Sequence, residues 1–248
     1  MNNQLKIMCS ALALLAAGQV SASTTWTLKN TKDTGVTVSA YSNTGGADNT
    51  TLENATWANY KDGSGKYLGL GIKNNDAYSG DTNEGISPEH SIDNEQRYDM
   101  ALLTFSELVK LTDLKLGWTT NDSDITVMAY TGSIPPTLTG KKYSELVDIG
   151  WKSIGNYYNV GTATKSINPD SVFSSYWLIG AYNPLAIKNN DQQRDSSFDY
   201  IKLASVSGCS AKELGCTPPS NDAPEPGSMA LFGLGLLGLV FQRKRTAA

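Results

Sequence analysis

One histidine, three cysteines and no apolar run of 18 residues or more occur in this chain of 248 residues. Each scarcity excludes something. A single His90 rules out zinc sites built from several histidines, and it leaves a Ser-His-Asp hydrolase to rest on one residue. No Gly-x-Ser-x-Gly elbow accompanies it, and His90 lies between Glu89 and Ser91 in a polar stretch. Without a run of that length, no segment spans a typical ~30 Å hydrocarbon core in the ordinary way. Sequence repeats of fixed period are missing too, which argues against a propeller or a solenoid.

Both chain ends read as address labels. At the N-terminus, Lys6 precedes the apolar stretch 7–17, and Val20-Ser21-Ala22 supplies the small residues that signal peptidase reads. Cleavage is expected between Ala22 and Ser23. At the C-terminus, Pro224-Glu225-Pro226 and Gly227 precede an uncharged run of 13 residues from Met229 to Phe241, followed by Arg243, Lys244 and Arg245. As a helix this run reaches only ~20 Å at ~1.5 Å per residue. So short and glycine-rich a span suits a transient anchor better than a permanent one. The basic end stays cytoplasmic by the positive-inside tendency, which places the Pro-Glu-Pro motif and the body on the far side of the membrane.

That order of short motif, apolar helix and basic end resembles the PEP-CTERM proteins of Gram-negative bacteria. The resemblance implies recognition by exosortase, processing near residues 224–227, and delivery to the cell surface or extracellular matrix. A simple C-terminal membrane anchor is the alternative. The body also resembles a family of exosortase-dependent surface proteins in the stretches 55–58, 87–94, 116–118, 121–127, 176–179 and 198–200. This second resemblance implies sorting and carries no enzymatic activity with it.

Processing changes the charge. The two removed ends hold four of the 20 basic residues and no acid, which leaves 16 against 24 acidic residues, a net charge of −8. Such a balance argues against nucleic acid and anionic lipid as partners and suits solubility or cation binding. Cys9 leaves with the signal. Cys209 and Cys216 then form an even pair in an oxidising compartment, and a disulfide between them is expected to staple the end of the domain. A redox or metal-binding pair is the sharper but weaker reading.

Between the ends, apolar residues alternate with period two in short segments bounded by Gly, Asn, Asp and Pro. Trp26 and Leu28, then Val36, Val38 and Ala40, open a series that runs through 67–72, 100–105, 114–118, 125–129, 176–182 and 198–203. Eight to ten strands are predicted, in a mostly β domain of sandwich or jelly-roll type. Trp26, Trp118 and Trp177 fall in strand patterns and are expected in the core. Helical spacing occurs at 141–150, where Tyr143, Leu146 and Val147 predict one short helix at a sheet edge or corner. The expected organisation is a signal peptide over 1–22, one domain over 23–216, a proline-rich spacer over 217–223 and a sorting tail over 224–248.

Within the body, Asp93, Asn94, Asp122, Asp124 and Asp199 lie beside predicted strands or loops and could meet at a sheet edge. Calcium is the cation they suit, since it takes six to eight oxygen ligands and extracellular sites need bind it only at ~10⁻⁴ to 10⁻³ M. The competing reading is that Asp and Asn cap turns. Trp57, Trp151, Tyr157 and Tyr158 are the candidates for stacking on sugar rings of an extracellular polysaccharide, against the alternative of core packing. The function expected is a structural or adhesive surface protein without enzymatic activity. A calcium-dependent glycan-binding module is the alternative and an extracellular hydrolase a more distant one.

Overall fold

The computed structural model describes residues 23–29, 35–44, 49–74, 88, 90–187 and 197–218. The expected signal segment and the tail from residue 219 onwards, with its apolar run, lie outside the described residues. The chain divides into two units, Met1–Cys216 and Thr217–Ala248. The first holds eleven strands among the described residues: β1 (Thr24–Thr27), β2 (Val36–Asn43), β3 (Leu52–Lys61), β4 (Tyr67–Lys73), β5 (Ile92–Asp93), β6 (Asp99–Asn121), β7 (Ile125–Tyr130), β8 (Trp151–Tyr157), β9 (Thr164–Ser166), β10 (Ser174–Ala181) and β11 (Asp199–Ser210).

The mostly β reading holds. Where a sandwich would keep two separate sheets, all these strands belong to one hydrogen-bonded sheet whose path runs β1-β11-β4-β3-β2-β6-β10-β7-β8, with a further β11–β6 pairing that closes a ring. Strand β6 makes this possible. It is 23 residues long, or ~75 Å at ~3.3 Å per residue, and it changes partners along its length. Its first part pairs with β2 from Val36↔Phe105 to Ser42↔Asp99 and, on the other side, with β10. Its second part pairs with β11 from Ser210↔Val109 to Asp199↔Asn121. Sequence alone suggested two separate strands here, 100–105 and 114–118; the chain stays extended through the residues between them.

Closing the ring brings backbones close together. At Gly71 in β4 an added Cβ would collide with the His90 carbonyl oxygen and lie 2.9 Å from the Tyr60 ring. Glycine is required there by a close approach of chain to chain.

Two apolar clusters flank the sheet. Ala101, Leu103, Val127, Ala129 and Ile179 point into the larger one, with Leu70, Leu116, Trp177, Ile201, Leu203 and Val206. Their neighbours Met100, Leu102, Met128 and Leu178 point the other way into the smaller one, which Leu138, Tyr143, Leu146, Trp151 and Ile187 cover. Strands β6, β7 and β10 are therefore apolar on both faces, which is why they read as unbroken apolar runs while β2 alternates cleanly.

The expected short helix is instead two 3₁₀ turns, Tyr143–Glu145 and Val147–Ile149. A segment this short gains little from α-helical propagation, and Gly150, at φ 104°, ends it in the left-handed region. The turns lead directly into β8, the last strand of the sheet path, where the Trp151 amide donates to the Leu146 carbonyl at 3.0 Å, and they cover the smaller cluster: Leu146 is fully buried, and the Tyr143 hydroxyl donates to the Tyr98 carbonyl at 2.7 Å. Trp26 and Trp177 are buried. Trp118 is only half-buried, because it faces away from the core with the Lys202 ammonium 4.2 Å from its ring centroid. Cys209 and Cys216 are joined in a disulfide.

Candidate functional site

Four loops converge beyond one end of the sheet. Asn121 closes β6 in the left-handed region at φ 61°, so Asp122, Ser123 and Asp124 form the turn into β7. The following loops are pinned onto this turn. After β8, the Asn159 amide donates to Asp124 Oδ1 at 2.7 Å and the Gly161 amide to Ser123 Oγ at 3.0 Å. After β10, the Tyr182 amide donates to the Asp124 carbonyl at 3.0 Å. At the start of β11, Asp199 accepts from the Asp124 amide on Oδ1 at 2.6 Å.

Asn94, just past β5, completes the junction. Its Nδ2 donates to Asp199 Oδ2 at 2.6 Å and to the Tyr182 carbonyl at 3.1 Å, while its Oδ1 accepts from the Asp199 amide at 2.8 Å. One carboxylate oxygen each from Asp122, Asp124 and Asp199 lies within 4.8 Å of the other two. Asp124 and Asp199 are buried at 5% and 2% exposure.

Three carboxylates so close repel one another, and burial worsens the cost of each charge. Burial is the main cause that pushes the Asp199 carboxyl up to about 7, and the charges of Asp124 and Asp122 add to it against hydrogen bonds from the Asp124 amide and Asn94. A proton or a hard cation would relieve that repulsion. An all-oxygen set of three carboxylates fits calcium, with backbone carbonyls and water to complete the shell.

Of the five residues singled out for a cation, the structure thus joins Asp122, Asp124 and Asp199 directly and Asn94 through Asp199. Asp93 is turned elsewhere. It accepts from the Glu95 amide at 3.2 Å and its charge acts on Lys202. Lys202 lies between the Trp118 ring and the Tyr60 ring, the latter at 4.8 Å. Its ammonium is lowered to about 8, chiefly by burial and against the pull of Asp93. His90 stacks on Tyr60 with centroids 5.7 Å apart. Burial and the charges of Lys73 and Lys202 hold its pKa below the usual value.

Sequence reading did not single out Asn159 or Gly161 as supports of the acidic turn. Asn159, at φ 47°, followed by Val160-Gly161, is the turn signature that could have marked the loop.

The four aromatic candidates form no common platform. Trp151 is 1% exposed and packs against Tyr130 in the smaller core cluster, so it presents no face to a sugar. Tyr157 stands at the other end of β8, ~20 Å away along the strand; its hydroxyl accepts from the Asn168 amide at 2.9 Å. Tyr158 is half-buried and tilted against Tyr182, and Trp57 lies half-buried against the larger cluster.

The other candidate site is the tail, and there comparison with known families decides. Residues 222–245 match the PEP-CTERM protein-sorting motif. The chain carries a PEP-CTERM signal. No curated protein and no solved structure matches it. The PEP-CTERM match begins two residues before Pro224 and takes in Glu225, Gly227, the apolar run 229–241 and the basic residues Arg243, Lys244 and Arg245. PEP-CTERM signals are processed by exosortase, so the motif implies export and exosortase-dependent sorting toward the cell surface. Among the described residues no helix is long and apolar enough to cross a membrane.

Proposed function

We propose that this protein is secreted through its N-terminal signal, held briefly at the inner membrane by its tail, and released by exosortase to serve as a structural or adhesive component of the cell surface or extracellular matrix. The observation that carries this reading is the PEP-CTERM match over residues 222–245. The body fits such a role: one sheet closed into a ring by the β11–β6 pairing, with apolar clusters on both faces and a disulfide at its end, and a net charge of −8 once both ends are gone, from 16 basic and 24 acidic residues. The reading involves no catalytic step.

Intact mass spectrometry of protein recovered from its native surface fraction tests it, comparing the unaltered chain with Glu225→Ala. The expected chain begins at Ser23 and ends near Pro226, and uncut protein accumulates in the variant. A mature chain ending at Ala248 in both would reduce the tail to an anchor.

The convergence of Asp122, Asp124 and Asp199 favours a second reading, a calcium-dependent module for extracellular polysaccharide. In this reading calcium orders the loops, and the half-buried Trp57 and Trp118 report on sugar. Titration of matrix polysaccharide with calcium present should quench tryptophan fluorescence; a flat titration overturns the glycan arm.

A further inference from the structure

We infer that β11 is a tension-bearing strand, with the Cys209–Cys216 disulfide as its coupling to the tail. The mechanical role rests on the sorting reading, since it supposes attachment through the chain's C-terminal side. The geometry itself does not.

Strand β11 is flanked by β6 along its whole length and on its other side as far as Gly208. On one side β6 pairs with it from Asp199↔Asn121 to Ser210↔Val109. On the other side β5 meets it at Tyr200 and Ile201, β4 at Leu203 and β1 from Ser205 to Gly208. Its side chains Ile201, Leu203 and Val206 are fully buried. Beyond Ser210 the chain turns back: the Ala211 amide donates to the Leu108 carbonyl at 2.8 Å, and Lys212 forms an ion pair with Glu107 at 2.9 Å. The disulfide then returns Cys216 to Cys209, which is paired with Lys110 inside the sheet. A pull on Thr217 therefore bypasses residues 210–215 and enters β11 at Cys209.

Direction decides what such a pull does. Hydrogen bonds between antiparallel strands run across the strand axis. A force along β11, resisted at the far end of β6, loads all of those bonds sideways at once. A force between Thr217 and Ser23 acts differently. Thr24 pairs with Gly208, so the start of β1 and the end of β11 leave the sheet at the same end. Pulling those two apart opens the pair one bond at a time. The fold is thus strong against tension between its C-terminal side and the opposite end, ~36 Å away along β11, where the acidic loops lie. It is weak between its own termini.

Single-molecule pulling on the oxidised domain tests this, with one handle after Thr217 and the second either at Ser23 or at a click-reactive residue replacing the exposed Thr120 near the far end of β6. The Thr120 geometry should rupture at the higher force, because it shears the β6–β11 bonds together where the Ser23 geometry unzips them in turn. Reduction of the already folded protein should lengthen the released chain by the six residues of the loop, ~20 Å of contour, and lower the rupture force in the Thr120 geometry. Equal forces in the two geometries would overturn the inference, as would a released length unchanged by reduction. Retention of Ala248 in the surface protein would overturn the sorting reading alone and leave the force asymmetry standing.

Discussion

Asp199 and Lys202 are buried charges of opposite sign, three positions apart in β11, and they should leave opposite marks on the pH dependence of stability. For Asp199 the folded pKa is raised, from 3.8 to about 7. Between those values the folded state keeps a proton that the unfolded chain has released, so its contribution is fully present below pH 4 and is lost as pH rises through 7. The loss is on the order of 4 kcal/mol in the absence of a cation. Asp199→Asn keeps the shape without the charge. Its melting temperature should match that of the unaltered domain below pH 4 and exceed it increasingly from there to pH 8 in chelator; identical pH profiles would show that Asp199 titrates normally. For Lys202 the folded pKa is lowered from 10.5 to about 8. The unfolded chain then binds the extra proton between those values, so stability rises from pH 8 toward 10.5. Lys202→Met, which fills the space between Trp118 and Tyr60 without a charge, should abolish that rise, as read from melting temperatures at pH 8 and pH 10.

Individual elements show where sequence was readable. Strand β2 was legible because its Val36, Val38 and Ala40 are buried between more exposed Thr37 and Ser39. Strands β6, β7 and β10 gave apolar runs without faces, since a second cluster lies on their outer side. Strand β8 was missed altogether: Trp151 and Tyr157, read as a sugar platform, are its two ends. The acidic turn was legible as chemistry, through Asp-Ser-Asp between two strand patterns, but nothing local to Asp93 showed that it would face Lys202. Gly71 in β4 is a further case in which long-range contact decides. Gly71→Ala drives a methyl group into the His90 carbonyl and should cost ~3 kcal/mol or prevent folding. Gly63→Ala, with nothing within 4 Å, should change stability by less than ~0.5 kcal/mol. Urea titration of the pair checks the contrast. Replacing Cys209 and Cys216 together by serine should cost ~2 to 3 kcal/mol, a fall of roughly 5 to 10 °C in Tm for a domain of this size by thermal melting.

At the scale of the whole molecule, a buried acidic junction tying four loops to the start of β11 couples cation binding to global stability. A ligand that binds only the folded state stabilises it by RT ln(1 + [L]/Kd). For an extracellular calcium site with Kd ~10⁻⁴ M, 10 mM calcium gives ~2.7 kcal/mol, or roughly 5 to 10 °C in Tm. The rise should be reversed by chelator and should be larger at pH 8 than at pH 5, where Asp199 carries a proton that calcium must displace. Magnesium at the same concentration should give less, because it demands a tighter octahedral shell than three separately anchored carboxylates provide. Asp124→Asn removes one ligand charge yet retains an oxygen for the Asn159 amide, so it should keep the fold and lose most of the calcium response. Equal Tm with calcium and with chelator at pH 8 would sink the cation reading. Asp122, Asp124 and Asp199 would then serve to fasten the loops to one another, with the proton on Asp199 relieving their repulsion.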